Sequence, residues 1–178
     1  MFRSIAFYGV IGGVIAIVPM GLQLVVSDHL LLSYAYIIGY TTMLIALSAV
    51  FVAIKRHRDI DRGGVIGFLP ALGLGLGISF IAGVIYALGW EIFLAVTHTD
   101  FFPGYAKAVL AQAKAKGAGA AALAKLAADL DRQRLQYADP LYRLPGTFAE
   151  IFPVGVLVSF ISAGLLCNRR FLPARRSV

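Results

Sequence analysis

The 178 residues are 60% hydrophobic and only 14% charged, with a mean hydropathy of +0.83, and a water-soluble domain of that composition would expose too much apolar surface to stay dispersed. A net charge of +7 would suit a nucleic-acid binder, but the basic residues stand in short clusters beside apolar runs, as in membrane proteins, so no nucleic-acid partner is expected. Cys167 is the only cysteine, which excludes an intrachain disulfide and a cysteine-built metal centre.

Taken in chain order, four runs are long enough to cross a hydrocarbon layer, which needs about 20 apolar helical residues. The first covers residues 5–26. It follows Arg3 and exceeds the roughly 7–15 residues of a secretory signal core, so it reads as a retained span. It presents Gly9 and Gly13 on one face, continuing through Ile17 to Gly21, and Pro19 is expected to kink it. Ser27-Asp28-His29 then leads into a second span over residues 30–54. Its central polar groups, Tyr34, Tyr36, Tyr40, Thr41, Thr42 and Ser48, are expected to bond across helices.

The loop from Lys55 to Arg62 is the densest charge cluster. Lys55, Arg56, Arg58 and Arg62 are expected to fix orientation and are candidate contacts for anionic lipid headgroups. A third span over residues 65–90 carries Gly63 with Gly67 and Gly73 with Gly77, and Pro70 is expected to kink it. Its Gly73-Leu74-Gly75-Leu76-Gly77 run lacks the strand-turn-helix setting of a phosphate loop. Glu91 falls roughly 39 Å along the helix from Val65 at about 1.5 Å per residue, an interfacial position. The sequence predicts that it anchors the ends of spans three and four by meeting Arg143 through an exposed, weak pair. Trp90, Phe101, Phe102, Phe148 and Phe152 are placed at headgroup level.

Residues 99–150 form a long connection. Gly104 to Lys116 and Ala120 to Tyr137 are rich in strong helix formers and predict a helical hairpin, ended by Asp139-Pro140. Leu123, Leu126, Leu130 and Tyr137 give the second helix an apolar stripe, so the hairpin packs on the bundle or lies at the interface, and it could dock a partner. Span four covers residues 151–168, with Pro153 in its first turn and a small-residue face of Gly155, Ser159 and Ala163. Arg169, Arg170, Arg175 and Arg176 follow. Short segments therefore alternate basic, non-basic, basic, which puts both termini in the cytoplasm and the 99–150 connection outside.

No ionisable residue stands in the centre of a span, where ion-coupled transporters usually place one. Glu91, His98 and Asp100 could in principle hold a divalent metal, but at no recognised ligand spacing, so neither metal nor cofactor is expected. No nucleophile, histidine and acid grouping points to an enzyme. The fold class expected is all-α: one integral membrane domain over residues 1–178, a four-helix bundle with an external helical hairpin.

Several segments together resemble a known family. They are Ile54-Lys55-Arg56-His57-Arg58-Asp59 leading to Gly63-Gly64, the glycine-rich run to Gly89-Trp90-Glu91, and Asp139-Pro140-Leu141-Tyr142-Arg143-Leu144-Pro145 through Phe148, Glu150, Pro153 and Gly155. The chain, from span one to Leu172-Pro173, resembles the bacterial membrane family catalogued as domain of unknown function 4199. The resemblance implies a four-span protein of the bacterial cytoplasmic (inner) membrane and carries no catalytic motif. The function expected is a non-enzymatic binding or assembly component, with the bilayer, an anionic lipid, a membrane or periplasmic protein, or a second copy as partners. A small oligomeric transporter or channel is the alternative.

Overall fold

A computed structural model describes the backbone of residues 1–25, 29–98 and 100–174, and their side chains apart from 19–36 and 101. The expectations attached to Pro19, Gly21, Asp28, His29, Tyr34, Tyr36, Phe101, Arg175 and Arg176 fall on positions outside that description. Six helices are present among the described residues, and no strand: α1 (Phe2–Val25), α2 (His29–Arg56), α3 (Phe68–Thr97), α4 (Phe101–Ala115), α5 (Ala120–Tyr137) and α6 (Pro140–Leu166). A single π turn, His57–Asp61, extends α2. Three stretches, Ile37–Asp61, Phe68–Thr97 and Pro140–Leu166, are long and apolar enough to cross a membrane, the architecture of a multi-pass membrane protein. Helix α1 runs beside them, with Phe2–Val18 as an apolar stretch.

The ends of the helices differ from the sequence reading for local reasons. Pro70 lies in the first turn of α3, where its missing N–H has no intrahelical acceptor to lose, so it does not interrupt the helix. Pro153, by contrast, sits inside α6. Helix α6 starts well before Ile151 because Asp139 caps it: its carboxylate accepts from the Leu141 amide at 2.9 Å, and Pro140 fills the first position. Asp139-Pro140 thus starts one helix just after the previous one ends. The extension puts Arg143, Thr147 and Glu150 on the same helix as Gly155 and Ser159.

Two small-residue seams set the packing. Along the first, α1 and α3 run parallel and exchange isoleucines for glycines. A Cβ at Gly9 would lie 2.7 Å from Ile81, one at Gly13 would lie 2.6 Å from Ile85, and one at Gly89 would lie 2.5 Å from Ile17. Ile5 closes on Gly77 at 3.1 Å. Each step of four along α1 matches a step of four along α3, so the Ile side chains of one helix enter gaps left by the other. The same register would put Gly73 opposite Met1, one residue before α1 begins. Accordingly nothing lies within 4 Å of a Cβ at Gly73, and the packing role expected of it is corrected.

Along the second seam, α3 and α6 run antiparallel. Gly75 meets Ser159, with 2.8 Å between a Cβ and Ser159 Oγ, and Ser79 meets Gly155 at 2.6 Å. Gly83 meets Phe148 and Ile151, at 2.7 and 3.5 Å. Ser159 donates to its own Gly155 carbonyl at 2.7 Å, so its oxygen accepts from Ser79 Oγ at 3.2 Å, and neither buried hydroxyl is orphaned. Helix α2 closes the core with Ala46, Leu47, Val50 and Ile54, each no more than 1% exposed. Its Thr42 and Ser48 hydroxyls donate to Ile38 and Ile45 of the same helix, and Tyr40 is exposed. The cross-helix donation expected of Thr42 and Ser48 is corrected. A hydroxyl one turn above its own carbonyl satisfies itself without a neighbour.

Candidate functional site

The polar side chains gather at the two ends of the bundle. At the basic end the π turn re-aims α2 so that Arg58 points inward, 1% exposed. Its guanidinium donates through Nε to Asp59 Oδ1 at 2.6 Å and through Nη1 to the carbonyls of Leu166 and Phe171 at 3.4 and 3.0 Å. Nη2 donates to the Leu172 carbonyl at 2.5 Å. Helix α6 has no basic residue in its own last turn, and Arg58 supplies from α2 the cation that the carbonyl end of a helix attracts. Asp59 is shared with Lys55 Nζ at 2.5 Å. Gly63 and Gly64 adopt φ of 62° and 87°, left-handed values open to glycine, and reverse the chain so that the Gly64 amide donates to the Arg58 carbonyl at 2.8 Å.

Arg58 is therefore not a headgroup contact: a cation committed to one carboxylate and three carbonyls in the interior has no face left for lipid. Arg56 and Arg62 are exposed, and Lys55 is half-exposed and paired. His57 is buried beside them, with Nδ1 2.6 Å from Asp61 Oδ2 and Nε2 without a partner among the described residues.

The other end is built by the continuation of the α3–α6 seam. The antiparallel register that pairs Ser79 with Gly155 also pairs Glu91 with Arg143. The pair is bidentate: Nε donates to Oε1 at 2.6 Å and Nη2 to Oε2 at 2.5 Å. The side chains are 12% and 19% exposed for Arg143 and Glu91, so the expected partner is right and its exposed setting is corrected. Arg143 Nη1 also donates to the Tyr137 carbonyl at 2.8 Å, and its guanidinium carbon lies 5.3 Å from the centre of the Tyr137 ring. One arginine thus ties α3, α5 and α6 together.

Aromatic rings complete the joint. Trp90, 9% exposed, stacks on Phe93 at 5.4 Å and donates to the Tyr137 hydroxyl at 2.6 Å. Phe102, 6% exposed, packs on Tyr137 at 5.8 Å. Trp90 and Phe102 are interior residues and not headgroup anchors, because Tyr137 of α5 packs against both. Phe148 and Phe152 stack at 4.9 Å and both meet Phe80. Burial pushes the Tyr137 hydroxyl above its ordinary pKa, against the Trp90 bond and the Arg143 charge, which favour ionisation.

Asp100 caps α4 by accepting from the Phe102 amide at 3.3 Å and takes Arg134 Nη2 at 2.7 Å. Glu91 and Asp100 are thus each held by an arginine, and His98 is the left-handed cap of α3. The structure does not gather these three as a ligand set. Beside Asp100 opens a cleft of about 270 Å³ lined by Leu94, Asp100, Phe102, Arg134, Tyr137, Ala138 and Arg143.

The sequence profile of the family described as "Protein of unknown function (DUF4199)" matches residues 7–168. The chain belongs to that family. No curated protein and no solved structure shows significant similarity to it. In this DUF4199 member the matched stretch includes the Glu91–Arg143 joint and the π turn, while Phe171 and Leu172, two of the Arg58 acceptors, lie beyond it. The most consequential residue outside the expected site is Glu150. A count of apolar residues starts span four at Ile151, whereas the cap at Asp139 draws Glu150 into α6.

Proposed function

We propose that this DUF4199 protein is a non-catalytic binding or assembly component of the bacterial cytoplasmic membrane whose external hairpin, α4 and α5, presents the docking surface. In this reading α1 is a fourth span, residues 1–178 form one membrane domain, and both termini face the cytoplasm with the Arg58 end. The alternation of basic and non-basic short segments supports that orientation. Arg56 and Arg62 remain the candidates for anionic lipid, and Gly73, open on the lipid side, is available to a second copy.

The observation that carries the reading is the joint. Glu91–Arg143, Trp90–Tyr137 and Asp100–Arg134 link the hairpin and its flanks to the bundle end, while Ala111, Lys114, Lys125 and Leu135 are exposed. A hairpin fixed on one face and free on the other holds a surface in a defined orientation, which lowers the ordering cost of binding. The transporter alternative draws less support, since Thr42 and Ser48 of α2 bond within their own helix.

The test is photocrosslinking in cells from a benzophenone side chain placed at Ala111 or Lys125, with lipid-facing Leu157 as the control. Discrete protein adducts from the hairpin positions that vanish with Arg143→Ala are expected. Adducts indifferent to Arg143→Ala, or lipid adducts alone, would refute docking. Solute flux through proteoliposomes of the pure protein would favour the transporter.

A further inference from the structure

The cleft beside Asp100 has a volume of about 270 Å³. That is just below the roughly 300–1,000 Å³ of sites for drug-sized molecules, and suits a ligand of small-metabolite size. Its lining divides in two. Leu94 of α3, Phe102 of α4 and Tyr137 of α5 give an apolar wall, with the two rings 5.8 Å apart. Asp100 and Arg134 give a charged wall. Arg143 also lines the cleft but adds little net charge, since Glu91 holds it in a bidentate pair.

The two charged groups are positioned by helix ends. Asp100 caps the start of α4, and Arg134 stands in the last turn of α5. The hairpin brings those ends together, so that carboxylate and guanidinium meet at 2.7 Å. Both side chains are 55% exposed, and an exposed pair of this kind is weak enough for a solute to enter. Each partner also keeps bonding capacity. Arg134 spends one of its five N–H groups on Asp100. Asp100 accepts from the Phe102 amide and from Arg134, which leaves about two of its lone-pair sites open.

Two opposite charges in contact, beside an apolar wall, call for a ligand whose own opposite charges are adjacent. An ammonium and a carboxylate carried on one carbon meet that condition, and the third substituent of that carbon can lie on the apolar wall. We propose that the cleft binds a zwitterionic α-amino acid with an apolar side chain. Its ammonium donates to Asp100, its carboxylate accepts from Arg134, and its side chain packs on Leu94, Phe102 and Tyr137. A simple carboxylate is a poorer ligand because it sets a second anion beside Asp100, and a simple amine sets a second cation beside Arg134. The site does not rest on protein docking by the hairpin, and its occupancy is read on the pure protein.

The full chain in lipid nanodiscs is titrated with L-leucine by calorimetry and by fluorescence of Trp90, whose bond to Tyr137 links it to the cleft. Saturable binding is expected. Leucinamide, which lacks the carboxylate, and isocaproate, which lacks the ammonium, should each bind about three- to tenfold more weakly, the loss of one charge-assisted bond at an exposed site. Glycine should bind roughly tenfold more weakly for want of an apolar side chain. The long ω-amino acid ε-aminocaproate, with its charges far apart, should not compete. Arg134→Gln should weaken leucine about three- to tenfold and leave leucinamide unchanged. Asp100→Asn, which retains a capping side chain on α4, should weaken leucine to the same degree without weakening isocaproate. Lys125→Gln, elsewhere on α5, should bind leucine as wild type does. Absence of saturable leucine binding by wild type would overturn the proposal. So would isocaproate or leucinamide binding as tightly as leucine, or wild-type affinity in both Arg134→Gln and Asp100→Asn.

Discussion

Removing Arg143 should destabilise the bundle far more than a surface ion pair would. An exposed pair contributes roughly 0–1 kcal/mol. Here both side chains are less than one-fifth exposed and the contact is bidentate. Loss of one partner leaves the other charge largely desolvated, a situation that costs about 3–5 kcal/mol in a full interior. Allowing for the remaining exposure, Arg143→Ala and Glu91→Ala should each cost about 2–4 kcal/mol by that principle. The double variant should cost little more than the worse single, with a coupling energy near 2 kcal/mol, because the second change removes the stranded charge. Reversible unfolding in mixed micelles would measure all four corners of the cycle. Trp90 is the only tryptophan and bonds to Tyr137 beside the pair, so its fluorescence reports this joint directly. Single variants within 1 kcal/mol of wild type, or additive energies, would refute the reasoning.

Gly155→Leu and Gly9→Leu should each lower stability by about 1–3 kcal/mol or more, since Ser79 and Ile81 already occupy the space a side chain needs, while Gly73→Leu should melt like wild type. Equal melting of all three would sink the register described for α1, α3 and α6. Arg58→Met should release the segment after α6, costing about 3–5 kcal/mol and speeding thiol labelling of half-buried Cys167 in detergent, because Leu166, Phe171 and Leu172 lose their common donor. Unchanged labelling would show that the clamp does not hold the chain end.

How much of this was legible in the sequence follows from what each feature depends on. The helical character of the apolar runs and of the hairpin depends on local composition, and Ala120 to Tyr137 is helical as read. The glycine faces are ambiguous by nature. Gly73, Gly75 and Gly77 lie in one run, yet Gly75 turns to α6, Gly77 turns to α1 and Gly73 meets neither. Only the position where α1 starts separates them, and that is a tertiary fact. The start of α6 was readable: aspartate followed by proline is a cap and a first-turn residue as well as a stop. Reading it as a stop alone hid Glu150. The inward turn of Arg58 rests on one π turn, and a cluster of basic residues at a span end gives no sign of which one the helix will bury.

Central to the proposed orientation is that the hairpin and the Arg58 end lie on opposite sides of one bilayer. A membrane-impermeant thiol reagent applied to intact cells tests this with two proteins, wild type with its single Cys167 and an Ala115→Cys variant in a Cys167→Ser background. Labelling is expected at position 115, on the exposed end of α4, and none at Cys167 until the membrane is opened. Labelling of Cys167 from outside, or protection of position 115, would contradict that orientation.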